Sequence, residues 1–163
     1  EAIPGIQQGG KLLVNGPNIM QGYYLTDTPG KILPPEGNWY DTGDIVTIDD
    51  EGYVFIKGRV KRFAKIGGEM VSLTAVEETI HQLWPDHAHA ALQLPDDKKG
   101  EKIILITSRQ DASQTALIAH FRENDINELS LPKTILSIDH LPLLASGKPD
   151  YVTLREWAEQ QPA

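Results

Sequence analysis

The chain changes character at Gly58. Before it the sequence carries only strand and turn signals; after it, strands alternate with capped helical runs. That break limits the fold more than any single motif does. Two or three strands are marginal by themselves, and the first 58 residues are too few to close a barrel or a sandwich. Residues 1–58 therefore read as the tail of a larger β-rich domain whose beginning is missing, and a start at Glu1 rather than Met agrees with a fragment. The remaining stretch, roughly 100 residues, has the alternation of a small α/β layer structure.

Local signals fill in the two parts. Residues 11–15 read as a strand bounded by Gly9-Gly10 and Gly16-Pro17, and residues 26–38, rich in Pro and Gly, as a loop. Residues 44–48 and 53–57 read as strands joined by the turn Asp49-Asp50-Glu51-Gly52. That acidic turn lacks the spaced ligands and terminal glutamate of a calcium loop. Beyond the break, residues 60–66 form a strand ending at Gly67-Gly68. Thr74 with Glu77 predicts a capping box, and Val76, Ile80 and Leu83 predict one helix face that ends before Pro85. Residues 87–94, 102–108 and 133–139 read as strands, Ser113 as the cap of a helix reaching about Glu123, and Thr153 as the cap of a last short helix.

Composition excludes several functions. The net charge of −8 repels phosphate backbones, so nucleic acid is not an expected partner. With Cys 0 there are no disulfides, thiol nucleophiles or thiolate metal sites, which fits a reducing, cytoplasmic compartment. The run Ile103-Ile104-Leu105-Ile106 falls far short of the ~20 residues of a membrane helix. Nothing at the N-terminus resembles a signal peptide. Charge is uneven, however: Lys57, Arg59, Lys61, Arg62 and Lys65 place five cations in nine residues with no acid among them. Such an island is either a solvated strand edge or an anion site.

Three short motifs could carry chemistry. Trp39-Tyr40-Asp41-Thr42-Gly43-Asp44 places Asp44 after a turn glycine, where it could accept two hydrogen bonds from a diol or simply bond its own backbone. Gly58-Arg59-Val60-Lys61-Arg62 lies between the two parts, where a hinge would be. Ser146-Gly147-Lys148-Pro149 is either a loop presenting Lys148 to an anion or a surface turn, and it is no P-loop. Two other matches are rejected. His81 and Asp86 fit an H-x4-D acyltransferase pattern, but Pro35-Glu36-Gly37, its second motif, precedes it, and His81 sits on an amphipathic helix. His87 and His89 share a strand face without a third ligand nearby, so no metal site is assigned.

In order along the chain, Gly10 to Val14, Gly22-Tyr23, Tyr40 to Asp44, Gly58-Arg59, Lys65 to Gly68, Leu131-Pro132-Lys133 and Leu141-Pro142 ahead of Gly147-Lys148 resemble the C-terminal third of the acyl-adenylate-forming superfamily. Residues 58–69 (GRVKRFAKIGGE) and the ending LPLLASGKPDY look most like the synthetase half of bacterial bifunctional 2-acylglycerophosphoethanolamine acyltransferase/acyl-[acyl-carrier-protein] synthetases. The resemblance implies a β-rich tail of the large domain at 1–58, a hinge at 59–61, and at 62–163 a small domain with a three-stranded sheet flanked by helices. It implies ATP as substrate with Mg2+, and fatty acid, acyl carrier protein and lysophospholipid as partners of the whole enzyme. The parent would sit at the cytoplasmic face of the inner membrane, and this fragment alone would be inactive; the alternatives are a fragment of an acyl-CoA synthetase or a non-catalytic protein-interaction module. By position, Asp44, Arg59 and Tyr40 would face the nucleotide, Lys61 would be the pivot, and Gly67-Gly68 would line the pantetheine path. Lys148 would be the catalytic lysine, and Lys57, Arg62 and Lys65 a patch for the carrier protein. Ala75 before Glu77, and Pro149-Asp150 after Lys148, depart from the usual pattern.

Overall fold

The structure, a computed structural model, describes residues 9–161. Residues 1–8 of the expected β-rich tail and 162–163 of the small domain lie outside the described residues. The chain divides into two compact units between Lys61 and Arg62.

The first unit contains β1 (Gly9–Val14), β2 (Tyr23–Tyr24), β3 (Ile32–Leu33), β4 (Tyr40–Ile48) and β5 (Val54–Arg59). An antiparallel sheet runs β1-β4-β5, and β2 pairs with β3 as a separate ribbon. The expected hairpin turn closes through Asp49, whose Oδ1 accepts from the N–H groups of Glu51 (3.0 Å) and Tyr53 (2.9 Å). Residues 26–38 are not wholly loop: they hold β3 and a 3-10 turn at Glu36–Asn38. β4 starts at Tyr40 rather than Asp44, because Gly43 at φ 71° accommodates a bulge within one continuous strand. Ile45 and Val46 are buried, whereas Ile48, Tyr53, Phe55 and Ile56 are exposed.

The second unit begins in the 3-10 turn Val60–Arg62, then gives β6 (Phe63–Ile66), β7 (Glu69–Ser72) and α1 (Leu73–Leu83). β8 (His89–Asp96), β9 (Gly100–Thr107), α2 (Gln114–Glu123), β10 (Thr134–Ser137) and α3 (Tyr151–Glu159) follow. The mixed α/β class is as expected, but the sheet has five strands rather than three. β8 runs antiparallel along all of β9, β10 lies parallel to β9, and β6 joins through the single pair Ile66–Gly100. The surplus comes mainly from a hairpin. Gly67 and Gly68, at φ 60° and 92°, turn the chain so that β7 returns along β6 instead of ending the strand.

β9 is the centre of the core, and both of its faces are covered. Ile103 and Leu105 pack with Val76, Ile80, Leu117 and Phe121 of α1 and α2, while Ile104 and Ile106 pack with Leu92, Leu154 and Ala158. This explains an unbroken apolar run where a half-solvated strand would alternate. The helix caps lie upstream of the expected residues. Ser72 Oγ accepts from Ala75 N–H at 3.2 Å, so Thr74 is already inside α1. Asp150 caps α3 by accepting from the N–H groups of Val152 and Thr153 (3.1 and 3.2 Å), which makes Thr153 a helical residue. Ser113 does occupy the cap of α2, without a side-chain hydrogen bond.

Candidate functional site

In the first unit Asp44 and Arg59 are cross-strand neighbours on β4 and β5. Arg59 Nε lies 2.9 Å from Asp44 Oδ1, and its Nη1 donates to the Thr42 carbonyl at 2.8 Å. Asp44 is 15% exposed and Arg59 66%, so the pair has a sheltered acid and an accessible guanidinium. The bulge is held from both sides. Thr42 Oγ1 donates to Leu12 O (3.1 Å) and accepts from Asp44 N–H (3.1 Å), while Asp41 accepts from Gly43 N–H (2.8 Å) and pairs with Lys11 (3.1 Å). The Gly43 N–H, and then Lys11, hold the Asp41 carboxyl below its usual value. Tyr40 is half-buried at the start of β4. The result is a fixed carboxylate beside a guanidinium, which suits a ligand carrying both hydroxyls and an anion.

In the second unit Lys148 is exposed in a closed loop. Leu143 and Pro149 form a bridge, Leu144 N–H donates to Lys148 O (2.8 Å), and Gly147 N–H donates to Leu144 O (2.8 Å). Gly147 and Pro149 line an open cavity of about 430 Å3 together with Glu77, His81, His89 and Leu143. Gly67 and Gly68 are exposed in the β6–β7 turn, where Gly67 N–H donates to Lys99 O at 3.0 Å, and they do not line that cavity.

The residues of the basic island are not equally exposed. Lys57 on β5, Lys61 and Lys65 on β6 are exposed, but Arg62 is only 14% exposed and is removed from the expected partner patch. Its Nη2 lies 2.7 Å from Glu77 Oε1, outside hydrogen-bonding direction, and its Nη1 donates to Ala91 O at 3.0 Å. The guanidinium also stacks 3.9 Å over the Tyr151 ring. An arginine so engaged is a fold contact, not a landing point for a partner. Glu77 likewise does not act in a capping box: its Oε1 accepts from Ala91 N–H at 2.8 Å, deep in the same cluster. Sequence patterning gives Glu77 only as half of a capping box and gives Tyr151 no role, whereas the structure joins the two through the Tyr151 hydroxyl. The departures from pattern beside them, Ala75 and Pro149-Asp150, were the signal available.

The rejected motifs stay rejected on geometry. His81 lies exposed on α1. His89 uses both ring nitrogens, Nε2 to Trp84 O and Nδ1 to Thr107 Oγ1, each at 2.9 Å, and His87 precedes β8 rather than sharing its face. Burial, chiefly, pulls the His89 pKa down. Among the described residues no group of three or more His, Asp or Glu side chains could hold a metal ion.

No family model matches the chain. A 2-succinylbenzoate–CoA ligase of Staphylococcus epidermidis is 35% identical over 150 residues, 89% of this chain and 30% of that protein. A medium-chain fatty-acid–CoA ligase of Escherichia coli is 31% identical over 160 residues, 94% of this chain and 27% of that one. Homologues and structural neighbours alike are members of the AMP-binding acyl- and aryl-CoA ligase family. Among solved structures, the ATP-bound MatB from Rhodopseudomonas palustris superposes with a TM-score of 0.71 at 26% identity, over 93% of this chain and 31% of that chain. The fold is that of the C-terminal domain of AMP-binding enzymes. The chain spans less than a third of the length of the AMP-binding ligases it matches.

Proposed function

We propose that this chain is the C-terminal part of an ATP-dependent ligase that activates a carboxylic acid as its acyl-adenylate and passes the acyl group to a thiol. The observation that carries the reading is identity above 30% to acid–CoA ligases across about nine tenths of the chain. In the first half-reaction a carboxylate oxygen attacks the α-phosphorus of ATP and pyrophosphate leaves. In the second, a thiolate attacks the acyl carbon and AMP leaves. Asp44 would accept the ribose hydroxyls: a carboxylate offers about four lone-pair sites, so its pairing with Arg59 leaves acceptor capacity. Arg59, two-thirds exposed, would approach the phosphate. Tyr40 would help wall that site. Lys148 would place an ammonium where charge develops on the transferred α-phosphate, then withdraw to let the thiol in past Gly67-Gly68. Mg2+ would be held through the nucleotide rather than by these residues, and no step here depends on it.

Within that reaction the acid is assigned as a fatty acid and the thiol as an acyl carrier protein, with 2-acylglycerophosphoethanolamine as final acceptor in a membrane-associated parent. The support is the likeness of residues 58–69 and of LPLLASGKPDY to the bifunctional synthetases. A second reading, CoA as the acceptor, is favoured by the CoA ligases among the relatives. Full-length enzyme given ATP, labelled fatty acid and either carrier protein or CoA distinguishes the two by which thioester forms. The chain alone is expected to form no acyl-adenylate.

Lys148→Ala in the full-length enzyme tests the shared mechanism. Loss of an electrostatic stabiliser of this kind costs ~10²–10³ in rate, so adenylate formation should collapse while thioester formation from supplied acyl-adenylate stays near normal. Equal damage to both half-reactions would remove Lys148 from catalysis.

A further inference from the structure

Ala91 lies on the outer side of β8, which among the described residues pairs only with β9, so its N–H and C=O have no described neighbouring strand to satisfy them. Two side chains do so instead: Glu77 accepts from Ala91 N–H at 2.8 Å and Arg62 donates to Ala91 O at 3.0 Å. The same two side chains hold a third. The Tyr151 hydroxyl lies 3.2 and 3.3 Å from the two Glu77 oxygens, and its ring lies beneath the Arg62 guanidinium at 3.9 Å.

We propose that Arg62, Glu77 and Tyr151 form a latch that fixes the Lys148 loop to the segment immediately following Lys61, with Tyr151 as a positioning residue for Lys148. The catalytic consequence rests on the reading of Lys148 given above; the latch itself does not. Tyr151 is the first residue of α3, and Asp150 before it caps that helix while donating its N–H to Pro142 O at 2.9 Å. The loop from Leu143 to Pro149 is closed on itself by its bridge and internal hydrogen bonds. Loop and helix start therefore move as one piece, and fixing the Tyr151 ring fixes the direction in which Lys148 leaves the unit. Arg62 is the first residue of that unit. The chain entry and the lysine loop are thus referred to the same two side chains. A buried ion pair is a poor device for stability, because desolvation consumes most of the attraction. It is a good device for specifying one geometry, since a guanidinium with a fixed carboxylate, carbonyl and ring has few alternatives.

The test uses the full-length enzyme with Tyr151→Phe, which keeps the ring under Arg62 and loses only the hydroxyl, and Arg62→Lys, which keeps the charge and loses the stack. Hydrogen exchange is followed at the amides of Leu144, Gly147 and Asp150, against Leu92 and Ile104 in the core. Both variants should exchange faster at the three loop amides with the core amides unchanged. Adenylation kcat should fall ~10- to 10²-fold, as small misplacements of a catalytic group do, with KM for ATP and transfer from supplied acyl-adenylate little altered. Unchanged loop exchange, or loosening spread equally over the core amides, would overturn the latch. Loop amides loosened with both half-reactions intact would uphold the latch and overturn the reading of Lys148.

Discussion

Glu77 is a carboxylate under opposing pressures, and their balance is measurable. Burial is the largest influence and raises its pKa, against Arg62, the Ala91 N–H and the Tyr151 hydroxyl, which lower it. The folded protein therefore keeps the Glu77 proton to a higher pH than the unfolded chain does. Its contribution to stability is fully present below the unfolded pKa of about 4.3 and is lost as pH rises through the folded value. Glu77→Gln cannot titrate. The gap in urea midpoint between the parent and this variant should shift in favour of the variant as pH rises from roughly 4 to 8. A gap independent of pH would mean that Arg62 cancels the burial. None of this was legible in the sequence. Thr74 and Glu77 match a capping box, and only the packing of α1, β8 and α3 reveals that the glutamate turns inward.

Elements were more readable than caps, for a physical reason. Periodicity reports which face is buried, and β9, α1 and the β4–β5 and β8–β9 hairpins all appear close to where patterning puts them. A cap depends on one residue's backbone angles. Ser72 has φ −73° and ψ 115°, an extended conformation inherited from β7, a strand that the sequence pattern does not give because Gly67-Gly68 reads as an end. Ser72→Ala should cost about 1 kcal/mol, the usual worth of such a cap, whereas Thr74→Ala, exposed within the first turn, should change stability by less than about 0.5 kcal/mol. Urea unfolding of the two variants decides between the caps, and the reverse order would restore the capping box. Asp44 and Arg59 became a pair only through strand register, which a bulge shifts and a motif cannot supply.

At the scale of the molecule, the hinge proposed at Lys61 lies between two anchored arginines. Arg59 is held in the first unit by Asp44 and the Thr42 carbonyl; Arg62 is held in the second by Glu77, Ala91 and Tyr151. Between them lie Val60 and Lys61, with Lys61 exposed and the division of the chain immediately after it. In the proposed mechanism, a reorientation between half-reactions would be absorbed by the backbone of these two residues. Lys61→Pro would fix φ near −65° and remove a donor, and it would bias Val60 away from helical angles toward extended ones, against the 3-10 turn at Val60–Arg62. In the full-length enzyme the variant is expected to retain adenylation better than thioester formation, with Lys61→Ala close to the parent in both. The two half-reactions are assayed separately, by pyrophosphate release from ATP and acid and by thioester formation from supplied acyl-adenylate. Equal loss of both, or of neither, would place the pivot elsewhere in the chain.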